Sequence, residues 1–88
     1  MQNKYVIEVI EISKNTDLES KCNAITFLNT GSNIVKINNV SLQPNGIGSL
    51  SIQGNVGEID STVYKIDFGV NVTGNLIQVI KKNDLWQQ

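Results

Sequence analysis

Apolar and polar residues alternate on both sides of an asparagine pair in the middle of the chain, as Val35-Lys36-Ile37, Asn38-Asn39 and Val40-Ser41-Leu42. If Asn38-Asn39 closes as a two-residue turn, Ile37 faces Val40 and Val35 faces Leu42. The four apolar side chains then share one face, with Lys36 and Ser41 on the other. Asparagine accepts the positive φ that a type I′ turn needs at both central positions. The pattern predicts a β-hairpin over 34–38 and 39–43. No stretch shows a helical period of comparable strength.

The remaining segments follow the same two-residue period. Residues 4–12 read as the first strand, with Tyr5, Ile7 and Val9 on one face and Val6, Ile10 and Ile12, with Glu8 among them, on the other. A strand apolar on both faces is either central to a sandwich or packed against another subunit. Residues 13–21 read as a polar loop, with at most a short helical turn over 17–21. A second strand is expected over 22–29, a strand over 47–53 with Leu50 and Ile52 together, and a strand over 62–68 with Tyr64, Ile66 and Phe68 inward. Val70 and Val72 suggest a short strand, and 76–81 the last one, ahead of a polar tail at 83–88. Gln43-Pro44-Asn45-Gly46 has the residue order of a type I turn. A regular turn there would send Leu50 to the wrong face relative to Leu42. The parity requires a five-residue loop, a bulge near Ile47-Gly48, or a crossover to a second sheet. Short strands with turn signals at this spacing predict an all-β protein, a small antiparallel β-sandwich or jelly-roll-like barrel of seven or eight strands in a single domain over 1–88.

Composition narrows the setting. A chain of 88 residues buries only about 60–65% of its unfolded surface, so further burial against copies of itself or another partner would help it. The net charge is −1 with both signs scattered, which gives no electrostatic basis for binding nucleic acid. Cys22 is the only cysteine; it reads as a small core hydrophobe, the alternative being a reactive or intermolecular thiol. The N-terminus lacks the cationic and apolar segments of a signal peptide, and no apolar stretch reaches membrane-spanning length.

Candidate chemistry is sparse. The chain has no histidine, which removes Ser-His-Asp and Cys-His catalysis and the commonest zinc ligands. Glu58 and Asp60 alternate along an extended segment with Asn55 nearby; the pair reads as solvated loop carboxylates, with calcium as the alternative. Neither an enzyme nor a bound cofactor is expected. Trp86, beside Leu85 in the tail, has three readings: folded back on a sheet edge, anchored on a neighbouring subunit, or stacked on a ligand. Tyr5, Ile7, Val9, Ile10, Ile12, Leu85 and Trp86 are the interface candidates.

The stretches 23–32, NAITFLNTGS, and 35–46, VKINNVSLQPNG, with Gly54-Asn55, Glu58-Ile59-Asp60 and 64–68, YKIDF, continuing the look, resemble small β-rich virion proteins of bacteriophages, particularly those infecting Bacteroidetes. Such proteins often carry Asn-Gly where this chain has Asn38-Asn39. The resemblance implies a capsid-associated, penton, spike-base or tail component, assembled in the host cytoplasm with copies of itself and other virion proteins. It implies no catalytic residues. The alternative is a carbohydrate- or receptor-binding module that uses loops at one end of the sandwich, such as 54–60 and 69–75.

Overall fold

A computed structural model describes residues 4–55 and 57–85. These residues form eight strands and no helix: β1 (Lys4–Ile12), β2 (Thr16–Glu19), β3 (Ala24–Asn29), β4 (Val35–Ile37), β5 (Val40–Leu42), β6 (Ser49–Ile52), β7 (Val63–Asp67) and β8 (Ile77–Leu85). The antiparallel pairs are nested: β1 with β8, β2 with β7, β3 with β6, β4 with β5. Two further pairings, β3 with β8 and β4 with β7, roll this long hairpin into two four-stranded sheets. Their strand orders are β1-β8-β3-β6 and β2-β7-β4-β5. The protein is an eight-stranded antiparallel β-sandwich with the nested pairing of a jelly roll. Only the β4–β5 connection stays within a sheet.

The predicted hairpin forms in the predicted register, Val35 opposite Leu42 and Ile37 opposite Val40. Asn38 and Asn39 sit at φ of 46° and 70°. The parity conflict after Leu42 is resolved by the crossover, since β5 and β6 belong to different sheets and Leu50 and Ile52 turn inward there. The turn at 43–46 is not type I, because Asn45 has a φ of 64°. The amides of Asn45 and Gly46 instead donate to the carbonyls of Gly31 and Asn29, at 2.8 Å each, so the β3–β4 loop dictates its shape.

Three other segments depart from expectation. Part of the polar stretch 13–21 is strand β2, held by its ladder to β7 with only Thr16 and Leu18 partly buried. Strand pairing here comes from the neighbour rather than from an apolar run. Val70 and Val72 are not in a strand; they stand on a loop, 96% and 89% exposed. Strand β8 runs through Asn83, Asp84 and Leu85, the first residues of the segment expected as a polar tail, because β1 extends alongside them.

The core lies between the sheets. Ile25, Phe27, Ile77 and Val79 from one sheet meet Val35, Ile37, Tyr64 and Ile66 from the other, with Cys22, Leu42 and Phe68 closing it. The Phe27 and Tyr64 rings pack at 5.1 Å, tilted by 59°, within the favourable range for aromatic pairs. Cys22 is a buried free thiol, raised in pKa chiefly by desolvation. The radius of gyration is 13.9 Å and the longest extent 48 Å, against about 12 Å for a compact chain of this length. Part of the excess comes from β1 and β8, which continue as a two-stranded ribbon past the end of β3: Ala24 is the last β3 residue on the ladder, opposite Lys82, so 4–6 and 83–85 pair only with each other.

Candidate assembly surface

The outer face of the first sheet has two characters. On its β3–β6 side Thr26, Ser49 and Ser51 point outward beside half-buried Leu28, and the Thr26 and Ser51 hydroxyls are 3.1 Å apart. On its β1–β8 side it carries Tyr5, Ile7 and Val9, which are 60%, 52% and 58% exposed, with Ile80 directly opposite Val9. The opposite face of the ribbon adds Val6, 48% exposed. A solvated sheet face is ordinarily polar at alternate positions; here the alternation is apolar on both faces and uncovered. Lys82 is the main polar group in the stripe. Its ammonium lies 5.1 Å from the Tyr5 ring centroid and 3.9 Å from an Asp84 carboxylate oxygen.

The predicted interface residues therefore divide. Tyr5, Ile7 and Val9 form the exposed stripe, and Val6 joins them from the other face. Ile10 and Ile12 do not belong to that surface; they turn inward and pack against the core, because β1 lies over the sandwich at its C-terminal half. Leu85 pairs its backbone with Lys4 at the end of the ribbon. Trp86 lies outside the described residues. Val6 was legible as an apolar position, but its exposure depends on β3 ending before the ribbon does.

The acidic residues serve the fold. Asp60 bridges to Cys22 by two backbone bonds, at the corner where the chain leaves β2 in one sheet for β3 in the other. Its carboxylate accepts from the Thr62 hydroxyl (2.6 Å) and amide (3.2 Å), the Tyr64 hydroxyl (2.8 Å) and the Ser20 hydroxyl (2.9 Å). The Thr62 hydroxyl bond, with help from Tyr64 and Ser20 and against partial burial, holds Asp60 at about 2. Burial first, and then the hydrogen bond to Asp60 and its charge, push Tyr64 up to about 12. The Tyr64 proton is thereby committed to Asp60. Glu58 turns elsewhere, accepting the Asn55 amide at 3.1 Å. Asn55, Glu58 and Asp60 thus do not converge on the calcium site that their spacing suggested: the Asp60 lone pairs face donors, and Glu58 caps its own loop.

Asparagines hold the loops. Fully buried Asn29 donates to the carbonyls of Asn33 and Leu42 and accepts from the Gly31 amide. Asn33 donates to the Thr73 carbonyl and to Asn75, and Asn15 accepts from the Phe68 amide. Asn23 ties down the 55–58 loop through the carbonyls of Asn55 and Glu58. An open cleft of about 430 Å³ lies between 13–15 and 69–75, lined in part by Asn15, Asn71, Val70 and Val72. The loops 54–60 and 69–75 do not share an end of the sandwich, as a joint ligand site would require: they flank opposite ends of β7, which at about 3.4 Å per residue separates them by roughly 17 Å.

Comparison with models of known protein families, with curated proteins and with solved structures yields no match.

Proposed function

We propose that this protein is a structural subunit that works by assembling, through the β1–β8 ribbon, with copies of itself or with other proteins of a particle. One observation carries the reading. Tyr5, Val6, Ile7 and Val9 lie exposed on both faces of one strand, whereas the β6 side of the same sheet presents Ser49 and Ser51 outward. Apolar patches of this kind mark interaction surfaces more often than they decorate a free monomer. The phage virion setting rests on the resemblance at 23–46 and 54–68. The jelly-roll pairing is in keeping with it, since capsid and lectin domains both use that arrangement, although fold alone does not assign function.

The test is the mass of the native protein by sedimentation over a wide concentration range, alone and with co-expressed neighbours from its source. A defined assembly is expected, and Ile7→Asp together with Val9→Asp should dissolve it while leaving the circular dichroism of the folded chain intact. A protein that stays monomeric at high concentration and binds no neighbour would end this reading.

A further inference from the structure

We infer that the open edge of β1 pairs antiparallel with β1 of a second copy about a two-fold axis at Ile7, joining two four-stranded sheets into one of eight strands. This rests on the assembly reading and names its partner and geometry. The four edge strands of the sandwich are β1, β6, β2 and β5. The last three are only four, four and three residues long, whereas β1 has nine. Short edges are a common protection against pairing; a long apolar one without proline or bulge is a template for it.

The backbone directions can be followed across the sheet. The Asn29 amide donates to the Gly48 carbonyl in line with the β3–β6 register, so Asn29, Phe27 and Ile25 turn their peptide groups toward β6. Strand alternation then turns Ala24, Thr26 and Leu28 toward β8. Lys82, opposite Ala24, faces β3 and accepts the Asn23 amide there. Lys81 and Val79 consequently face β1, where they meet Glu8 and Ile10. What remains on the open edge are the N–H and C=O groups of Tyr5, Ile7, Val9 and Glu11, which are also the residues whose side chains form the outer stripe.

Register follows from the side chains. A two-fold between like strands pairs residues whose numbers sum to twice the central position. Centring on Glu8 sets two carboxylates directly opposite, which is destabilising. Centring on Val9 puts Ile7 against Glu11 of the other copy and leaves Tyr5 opposite position 13, past the end of β1. Centring on Val6 matches Lys4 with Glu8 but shortens the described ladder to residues 4–8. Centring on Ile7 sets Ile7 on Ile7 and Tyr5 on Val9 along the outer face, using three outward-directed residues from each copy. On the other face it sets Val6 opposite Glu8 and Lys4 opposite Ile10, with Lys4 diagonal to Glu8 of the second copy and within reach of it.

The experiment uses the full chain. Ile7→Pro removes an amide directed to solvent and leaves the β1–β8 ladder whole, so the monomer should stay folded. It should weaken dimerisation about 30-fold or more, given the backbone bonds lost. Lys4→Glu should weaken it less, and Lys4→Glu with Glu8→Lys should recover it. A spin label at Glu11 should report a separation of about 27 Å between copies, eight residues at ~3.4 Å each; centring on Val6 would give about 34 Å and on Glu8 about 20 Å. An assembly whose mass is unchanged by Ile7→Pro overturns the edge pairing and leaves the assembly reading standing, and a label distance near either alternative overturns the two-fold at Ile7. A wild-type monomer at all concentrations overturns both.

Discussion

Strand β8 passes through two regions of this molecule that share a sequence pattern and differ in fate. In the sandwich, Ile77 and Val79 are fully buried between the sheets. On the outer face of the same sheet, the partner strand offers Tyr5, Ile7 and Val9 at the same two-residue spacing, and all are more than half exposed. Lys81 marks the boundary: it is the next inward position after Val79, and its ammonium leaves the core to donate to the Glu19 carbonyl at 3.1 Å. Alternation therefore specifies a strand and its faces, and burial is decided by whether a second layer lies opposite. Among the described residues, the outer stripe has strand pairing without a second layer.

The sharpest way to break this contrast is truncation in each region. Phe27→Ala should cost about 3–5 kcal/mol in urea unfolding, as a large buried aromatic does. Ile7→Ala, measured on the monomer, should cost within about 0.5 kcal/mol, as exposed positions do. A comparable loss at Ile7 would mean that the outer stripe is covered by its own chain.

The corner clamp supplies the next test. Asp60→Asn should cost about 1–3 kcal/mol, because the Ser20, Thr62 and Tyr64 donors lose a charged acceptor. Its pH dependence has a definite sign. The folded-state value is about 2, below the ordinary 3.8, so the folded state holds fewer protons than the unfolded one in that range. The stabilisation is present above about pH 4 and is lost as the pH falls toward 2. Urea midpoints should drop across that window in the wild type, and the drop should be smaller in Asp60→Asn.

The smallest expected effect is at the hairpin. Asn39, at φ 70°, is the position at which type I′ turns favour glycine, so Asn39→Gly should stabilise by about 0.5 kcal/mol in thermal unfolding. Asn38→Gly should not, since the Asn38 side chain accepts the Lys65 amide at 2.8 Å. The two asparagines look alike in sequence and are distinguished only by β7 lying beside one of them.

Much of the fold was legible. The register of β4 and β5, the inward set Tyr64, Ile66 and Phe68, and the limits of β1 all follow from local alternation and turn chemistry. The need for a crossover after Leu42 was legible as a parity conflict. Strand β2 was not, because TDLE has no apolar run and becomes a strand only by pairing with β7. Val70 and Val72 misled because two valines in alternation satisfy a strand pattern without any neighbour to pair with. Of the candidate assembly surface, Tyr5, Ile7 and Val9 were legible as apolar positions. Ile10 and Ile12 carried the same signal and went to the core.

By itself the sequence determined that this chain is made of short antiparallel strands, where most of them run, and which side chains share a face. Those are properties of neighbouring residues, set by the two-residue period and by asparagine and glycine at turns. Tertiary structure alone decided which strands became partners, that β8 would outrun β3, and that Asp60 would clamp a corner rather than face solvent. These depend on contacts between residues 20 to 80 positions apart, and on where one layer ends relative to the other, which no local pattern records.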